Sequence, residues 1–244
     1  WFVRLSDIAP DGSVTLVTGA GFNGTHRESA RDPADIVPGE TFEINPELHF
    51  TSWVFPAGHR IRVSISNAQW PMFWPTPFPI TTSLYLGGEE GSRIELPVVP
   101  FEKRPAPSFI PPVANPEAPG FSQFVIAGTS SGYGEISEVS RKPQTAETTI
   151  RANTEYGQNL PWGIETYKEL IEYHTSDEHP ENTTQTGKHS YRVVLEGRDL
   201  LWEGDTLLRS DRDNFYYEYV RRLSENGVLL REKTWTETIP RDFQ

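Results

Sequence analysis

An all-β fold is the class this sequence predicts, on three observations. Short apolar–polar alternations recur along most of the chain, Gly and Pro turn signals separate them, and a hairpin pair, Asn226-Gly227, stands between two of the longest alternating runs. From the start of the chain, Trp1 to Leu5 and Val14 to Thr18 are candidate strands joined through the Asp11-Gly12 turn. Pro38-Gly39-Glu40 is a turn, and Phe42 to Phe50 is the next candidate strand. Pro56-Ala57-Gly58-His59 turns into Arg60 to Ser66, where Ile61, Val63 and Ile65 alternate with Arg62 and Ser64 as in a half-buried strand. Ile80 to Leu86 and Arg93 to Leu96 complete a first set. Short strands with such turns indicate a sandwich or jelly roll rather than βαβ units.

Pro97 to Gly120 carries eight prolines. Proline removes backbone donors and fixes φ, so this stretch is read as an extended linker, and the domain division is 1–96, linker 97–120, and 121–244. The last section is again β, an antiparallel domain of its own. Its candidate strands are Gln123 to Ala127, Glu135 to Arg141, Thr145 to Arg151, Ser190 to Glu196, Leu200 to Arg209, Phe215 to Leu223 and Val228 to Ile239. Asn226-Gly227 joins the last two, since both residues tolerate positive φ. Phe215, Tyr217, Tyr219 and Leu223 then share one face, interrupted by Arg221. Ile164 to Tyr173 fits strand or helix equally, and the polar run Glu178 to Lys188 is read as a long mobile loop.

The chain opens on an apolar, strand-like run without an initiator Met, which reads as a chain cut inside a β-strand. Its 244 residues carry a net charge of −12, which argues against nucleic acid and anionic membranes, because phosphate binding needs clustered Lys and Arg. No apolar run approaches the roughly 20 residues of a membrane span. With no cysteine, disulfides, thiolate metal sites and a cysteine nucleophile are excluded.

Gly128-Thr129-Ser130-Ser131-Gly132 fits the G-x-S-x-G pattern of a serine nucleophile elbow. That elbow needs a helix after the serine, and Tyr133-Gly134-Glu135-Ile136-Ser137 has no helical periodicity, so a glycine–serine turn is the reading the residues favour. His174, Asp177, Glu178, His179 and His189 lie in or beside the polar loop, but the two closest histidines are spaced unlike any common metal motif. No catalytic constellation, metal site or cofactor site follows. For His26 and His59, each followed by Arg, structural hydrogen bonding or pairing with a carboxylate is the favoured role. The remaining candidate is the aromatic run Trp70 to Pro79, in which Trp70, Phe73, Trp74 and Phe78 alternate with pre-ordering prolines. Core packing, a docking surface for a partner domain and a stacking platform for sugar rings all fit it.

Several turn motifs agree, in sequence order, with one known family. Phe2-Val3-Arg4-Leu5-Ser6-Asp7-Ile8-Ala9-Pro10-Asp11-Gly12-Ser13, His26-Arg27-Glu28-Ser29, Pro38-Gly39-Glu40 and Phe55-Pro56-Ala57-Gly58-His59-Arg60-Ile61-Arg62 resemble the C-terminal jelly-roll domain of the X-Pro dipeptidyl-peptidase and cocaine-esterase hydrolases. The match covers roughly residues 1 to 96, and Trp235 to Asp242 is similar to the extra β domain some members carry. The resemblance implies a galactose-binding-like β-sandwich, truncated at its N-terminal side, in a serine hydrolase whose α/β-hydrolase domain lies upstream and is the partner of this region. It supplies no triad residue to this chain, and Ser130 lies far downstream of where that nucleophile belongs. One departure is that Trp74 to Pro79 stands where many members have an asparagine-rich turn. Jelly rolls of this kind also bind sugars, so a carbohydrate-binding module is the second reading.

Overall fold

Asp11 starts the tertiary structure with a tight turn. Its carboxylate accepts from the Ser13 amide at 2.9 Å and the Ser13 hydroxyl at 2.7 Å, and Gly12 takes φ 89°. The turn folds β1 (Phe2–Ile8) back on β2 (Val14–Gly21), and β3 (Arg60–Ser66) pairs antiparallel with the other edge of β1. The result is a three-stranded sheet in the order β2-β1-β3. These positions belong to a computed structural model that describes residues 1–89, 91–100, 105, 107–113, 119–125 and 136–243.

The second sheet runs β4 (Ser122–Val125), β5 (Ile136–Lys142), β6 (Glu147–Leu160), β7 (Gly163–Ser176), β8 (Thr184–Leu195), β9 (Arg198–Ser210), β10 (Asn214–Glu225) and β11 (Val228–Pro240). From β6 to β11 each strand pairs antiparallel with its sequence neighbours, while β4 and β5 take successive stretches of β6. Asn226 and Gly227 take φ 51° and 77°, as the hairpin between β10 and β11 requires.

The all-β class is therefore observed, with differences in the elements. Phe42 to Phe50, Ile80 to Leu86 and Arg93 to Leu96 are not strands. Pro46 lacks the amide a ladder needs, and the other two runs lie close to Pro79 and Pro97 and the Gly87-Gly88 pair, so none of the three pairs with a neighbour. The ambiguous run Ile164 to Tyr173 is strand, inside β7. The loop expected over Glu178 to Lys188 is shorter, because Thr184, Thr186 and Lys188 already belong to β8. Their side chains lie on a solvated sheet face, so apolar alternation has no signal there. The described residues between 97 and 120 hold no helix or strand. The G-x-S-x-G match, the end of the 123–127 run and Glu135 lie outside the described residues.

Side chains in a strand alternate between faces, so the register sorts the second sheet. One face carries Ile150, Tyr156, Tyr167, Tyr173, Tyr191, Trp202, Phe215, Tyr217, Tyr219 and Trp235. The opposite face is charged and cross-linked by Arg151–Glu172, Lys168–Glu155, Arg192–Asp199 and Arg222 with Asp205 and Glu232. Phe215, Tyr217, Tyr219, Arg221 and Leu223 do share the first face. The buried apolar core is small: Val3, Leu5 and Ala20 in the first sheet, Ile150, Ala152 and Val193 in the second. Ile61, Val63 and Ile65 on β3, expected half-buried, are 50%, 41% and 37% exposed. Their alternation is real, but no described residues close over that strand.

Candidate functional site

The aromatic run lies where the two sheets meet. Trp70 stands edge-on to Trp74 (ring centroids 5.1 Å apart) and to Tyr173 of β7 (5.7 Å). Trp74 in turn stands edge-on to Phe215 of β10 (5.5 Å), and its indole N–H donates to Ser210 Oγ at 3.0 Å. Ser210 is buried and its hydroxyl donates a hydrogen bond to the Glu181 carbonyl at 2.7 Å. Edge-to-face rings of this kind add about 0.5–1.5 kcal/mol per pair beyond their burial. Both tryptophans therefore fill the end of the aromatic face of the second sheet. The Trp70 indole N–H and the Gln69 side-chain oxygen are buried without a hydrogen-bond partner, a local cost inside this packing.

The other two residues of the run stay more open. Phe73, 44% exposed, packs against Phe2 at 5.7 Å and lies on Gly21, where a Cβ would come within 2.6 Å of its ring. That contact explains the glycine at the end of β2. Phe78, also 44% exposed, lies beneath the Arg212 guanidinium at 5.1 Å.

Arg241, which sequence reasoning missed, fastens the arrangement. Its side chain donates to the Pro75 carbonyl at 2.6 Å and to the Asp211 carbonyl at 2.9 Å, and its guanidinium lies 4.8 Å from the Phe215 ring centre. Burial pulls its pKa down to about 10, against the opposing pull of Asp211 and Glu181, so it is cationic at neutral pH. Two residues on, the Phe243 carbonyl accepts from Asn23 Nδ2 at 3.0 Å and Thr25 Oγ1 at 2.8 Å. Residues 241–243 thus tie β11 to the aromatic run and to the turn after β2. Pairing with a partner 166 residues away leaves no local signature, which is why Arg241 reads as a surface charge in the sequence.

The histidines separate by role. His59 Nδ1 lies 2.8 Å from the buried Asp7 carboxylate, whose second oxygen accepts from Trp53 Nε1 at 3.0 Å. His26 Nδ1 shares a contact with Thr25 Oγ1 at 3.0 Å. Both make contacts of the kind the sequence suggested, His59 with a carboxylate and His26 with a hydroxyl. The candidate metal residues are dispersed: Asp177 pairs with Arg141, His179 with Glu181, and His189 stacks on Tyr219 at 6.1 Å. Among the described residues no group of three or more His, Asp or Glu side chains is placed to hold a metal. No helix among them is long and apolar enough to cross a membrane.

Over its N-terminal sheet and the quoted turn motifs, the chain is similar to a non-catalytic C-terminal domain of a hydrolase family. Residues 1–94 match the family described as the X-Pro dipeptidyl-peptidase C-terminal non-catalytic domain. Two proteins bearing a serine esterase name, from Mycobacterium bovis and Mycobacterium tuberculosis, are each 31% identical over 117 residues. The cocaine esterase of a Rhodococcus species is 33% identical over 70 residues. The matches take in 41% of this chain in the first two cases and 29% in the third. They span only 19% of the length of the mycobacterial relatives and 12% of the cocaine esterase. No solved structure matches the chain.

Proposed function

We propose that this chain is the non-catalytic C-terminal part of an α/β-hydrolase-type serine hydrolase, with an esterase or X-Pro dipeptidyl-peptidase as the parent enzyme. In this reading residues 1–96 and 121–244 are two β units joined by 97–120, and the first unit packs on an upstream catalytic domain. The observation that carries the reading is surface. The chain exposes 17879 Å², whereas a folded protein of its 27.6 kDa exposes about 11,000 Å². Its exposed apolar side chains include Ile61, Val63 and Ile65, which share one face of β3, and Val14 and Leu16 on β2, which the register sets on the opposite face. An open apolar sheet face beside a family domain described as non-catalytic supports a docking role. Phe73 and Phe78, the exposed half of the aromatic run, extend toward the same partner and contribute to the wall of its substrate cleft.

The sugar-binding alternative draws no support from Trp70 and Trp74, whose rings are occupied by Tyr173 and Phe215. The test is made in the full-length protein. Val63→Asp and the Phe73→Ala/Phe78→Ala pair are expected to lower the melting temperature of the catalytic domain and its kcat/KM for ester or X-Pro substrates. Unchanged melting and kinetics in both variants refute the docking role.

A further inference from the structure

The outer edge of the second sheet is a thirteen-residue strand, β11, whose every residue is exposed. Such an edge presents unpaired amides and carbonyls and is a template for another strand. Natural edges are blunted by charges that repel a second copy, by prolines, or by bulges. Here the bulge is confined to the start of the strand, where Leu223 faces Arg231 but Ser224 faces Leu229. From Arg231 onward the ladder with β10 is regular, and Arg231, Lys233, Trp235 and Glu237 share one face.

Those four positions are self-complementary about Thr234. Laid antiparallel on a twofold axis through Thr234, one β11 places Arg231 opposite Glu237 of the other and Lys233 opposite Trp235, each pair occurring twice. On the remaining face Glu232, already held by Arg222, meets Thr236. A shift of two residues one way sets Lys233 against Lys233, and the other way leaves Arg231 against Ile239. Every pair in the Thr234 register joins residues of equal parity, so outward amides meet outward carbonyls along the whole segment. Arg231 and Glu237 form no ion pair among the described residues, so both are available. Lys233 already lies 4.5 Å from the Trp235 ring centre of its own strand, which shows that this ring accepts a cation there.

We propose that β11 is a homodimer interface, pairing antiparallel with β11 of a second copy about Thr234 and joining two second sheets into one continuous sheet. This inference stands apart from docking on a catalytic domain, which concerns the first sheet. The experiment is sedimentation velocity of the full-length protein across a micromolar concentration series. The wild type is expected to sediment as a dimer. Arg231→Glu and Glu237→Arg singly are each expected to weaken the dimer at least tenfold, because each places like charges opposite one another twice. The double variant R231E/E237R restores opposite charges in both pairs and is expected to recover the dimer. All three changes lie on an exposed edge, and circular dichroism of each variant checks that it folds. A monomeric wild type, single variants that stay dimeric, or a double variant that stays monomeric overturns the proposal.

Discussion

Replacing Arg241 by alanine probes the contact that holds the aromatic run on the second sheet. The substitution removes two charge-assisted hydrogen bonds, to the carbonyls of Pro75 and Asp211, each worth about 1.5–3 kcal/mol. It also removes the cation over Phe215, worth about 0.5–2 kcal/mol. Against this stands relief of the several kcal/mol spent in burying the charge. The expected net loss is about 2–4 kcal/mol, which at this chain length corresponds to a melting temperature lower by roughly 5–12 °C. Arg241→Lys keeps the charge but loses the fork that reaches two carbonyls at once, so about half of that loss is expected. Differential scanning calorimetry gives the magnitude, and amide exchange locates it: protection should fall at residues 69–75 and 241–243 while the central strands β8 and β9 keep theirs. An Arg241→Ala protein that melts within a degree of wild type, with unchanged tryptophan fluorescence, refutes the assignment of Arg241 as the fastening.

Other expectations concern the second sheet. Burial, followed by the hydrogen bond and charge of Glu165, raises the Tyr191 pKa from 10.0 to about 12, so the folded state keeps a proton that the unfolded state loses. Its contribution is complete below pH 10 and is lost as pH rises toward 12; urea titrations at pH 9 and 11 should show a decline that is smaller in Tyr191→Phe. A Cβ at Gly204 would come within 2.1 Å of the His189 ring, whereas at Gly187 the nearest atom is 3.6 Å away. Gly204→Ala should therefore cost about 1–3 kcal/mol in urea unfolding and expel His189 from its stack on Tyr219, while Gly187→Ala should be nearly neutral. Gly227 holds φ 77°, so Gly227→Ala should cost about 1 kcal/mol, readable as a lower urea midpoint at constant m-value.

What the sequence made legible was local. The Asp11-Gly12 and Asn226-Gly227 turns, strand Arg60 to Ser66 and the shared face of Phe215, Tyr217 and Tyr219 all follow from residue type and period, and all are present. Two kinds of information were not local. Strands such as Thr184 to Leu195 have one solvated face, so their apolar signal is thin and their first residues read as loop. Conversely, alternation at Ile80 to Leu86 did not make a strand, because a ladder also needs a neighbour. The aromatic run illustrates both halves. Its composition announced a packing or docking role, but only tertiary structure divides it into Trp70 and Trp74, turned onto Tyr173 and Phe215, and Phe73 and Phe78, left partly open.

The fastening at Arg241 and Phe243 also bears on the order of events during synthesis. Each strand from β7 to β11 pairs with the one made just before it, so the second sheet can grow hairpin by hairpin as the chain emerges. Arg241 is made after all of these strands, yet its bond to Pro75 reaches back 166 residues. The two sheets can be locked together only once that whole length has left the ribosome. Until then Trp70 and Trp74 can pack on Tyr173 and Phe215 only without the Arg241 bond that holds Pro75. Nascent chains stalled before Arg241 are therefore expected to be cut more readily by protease between residues 69 and 79 than chains stalled well beyond Phe243, and equal cleavage in both would show that the fastening is not the last step.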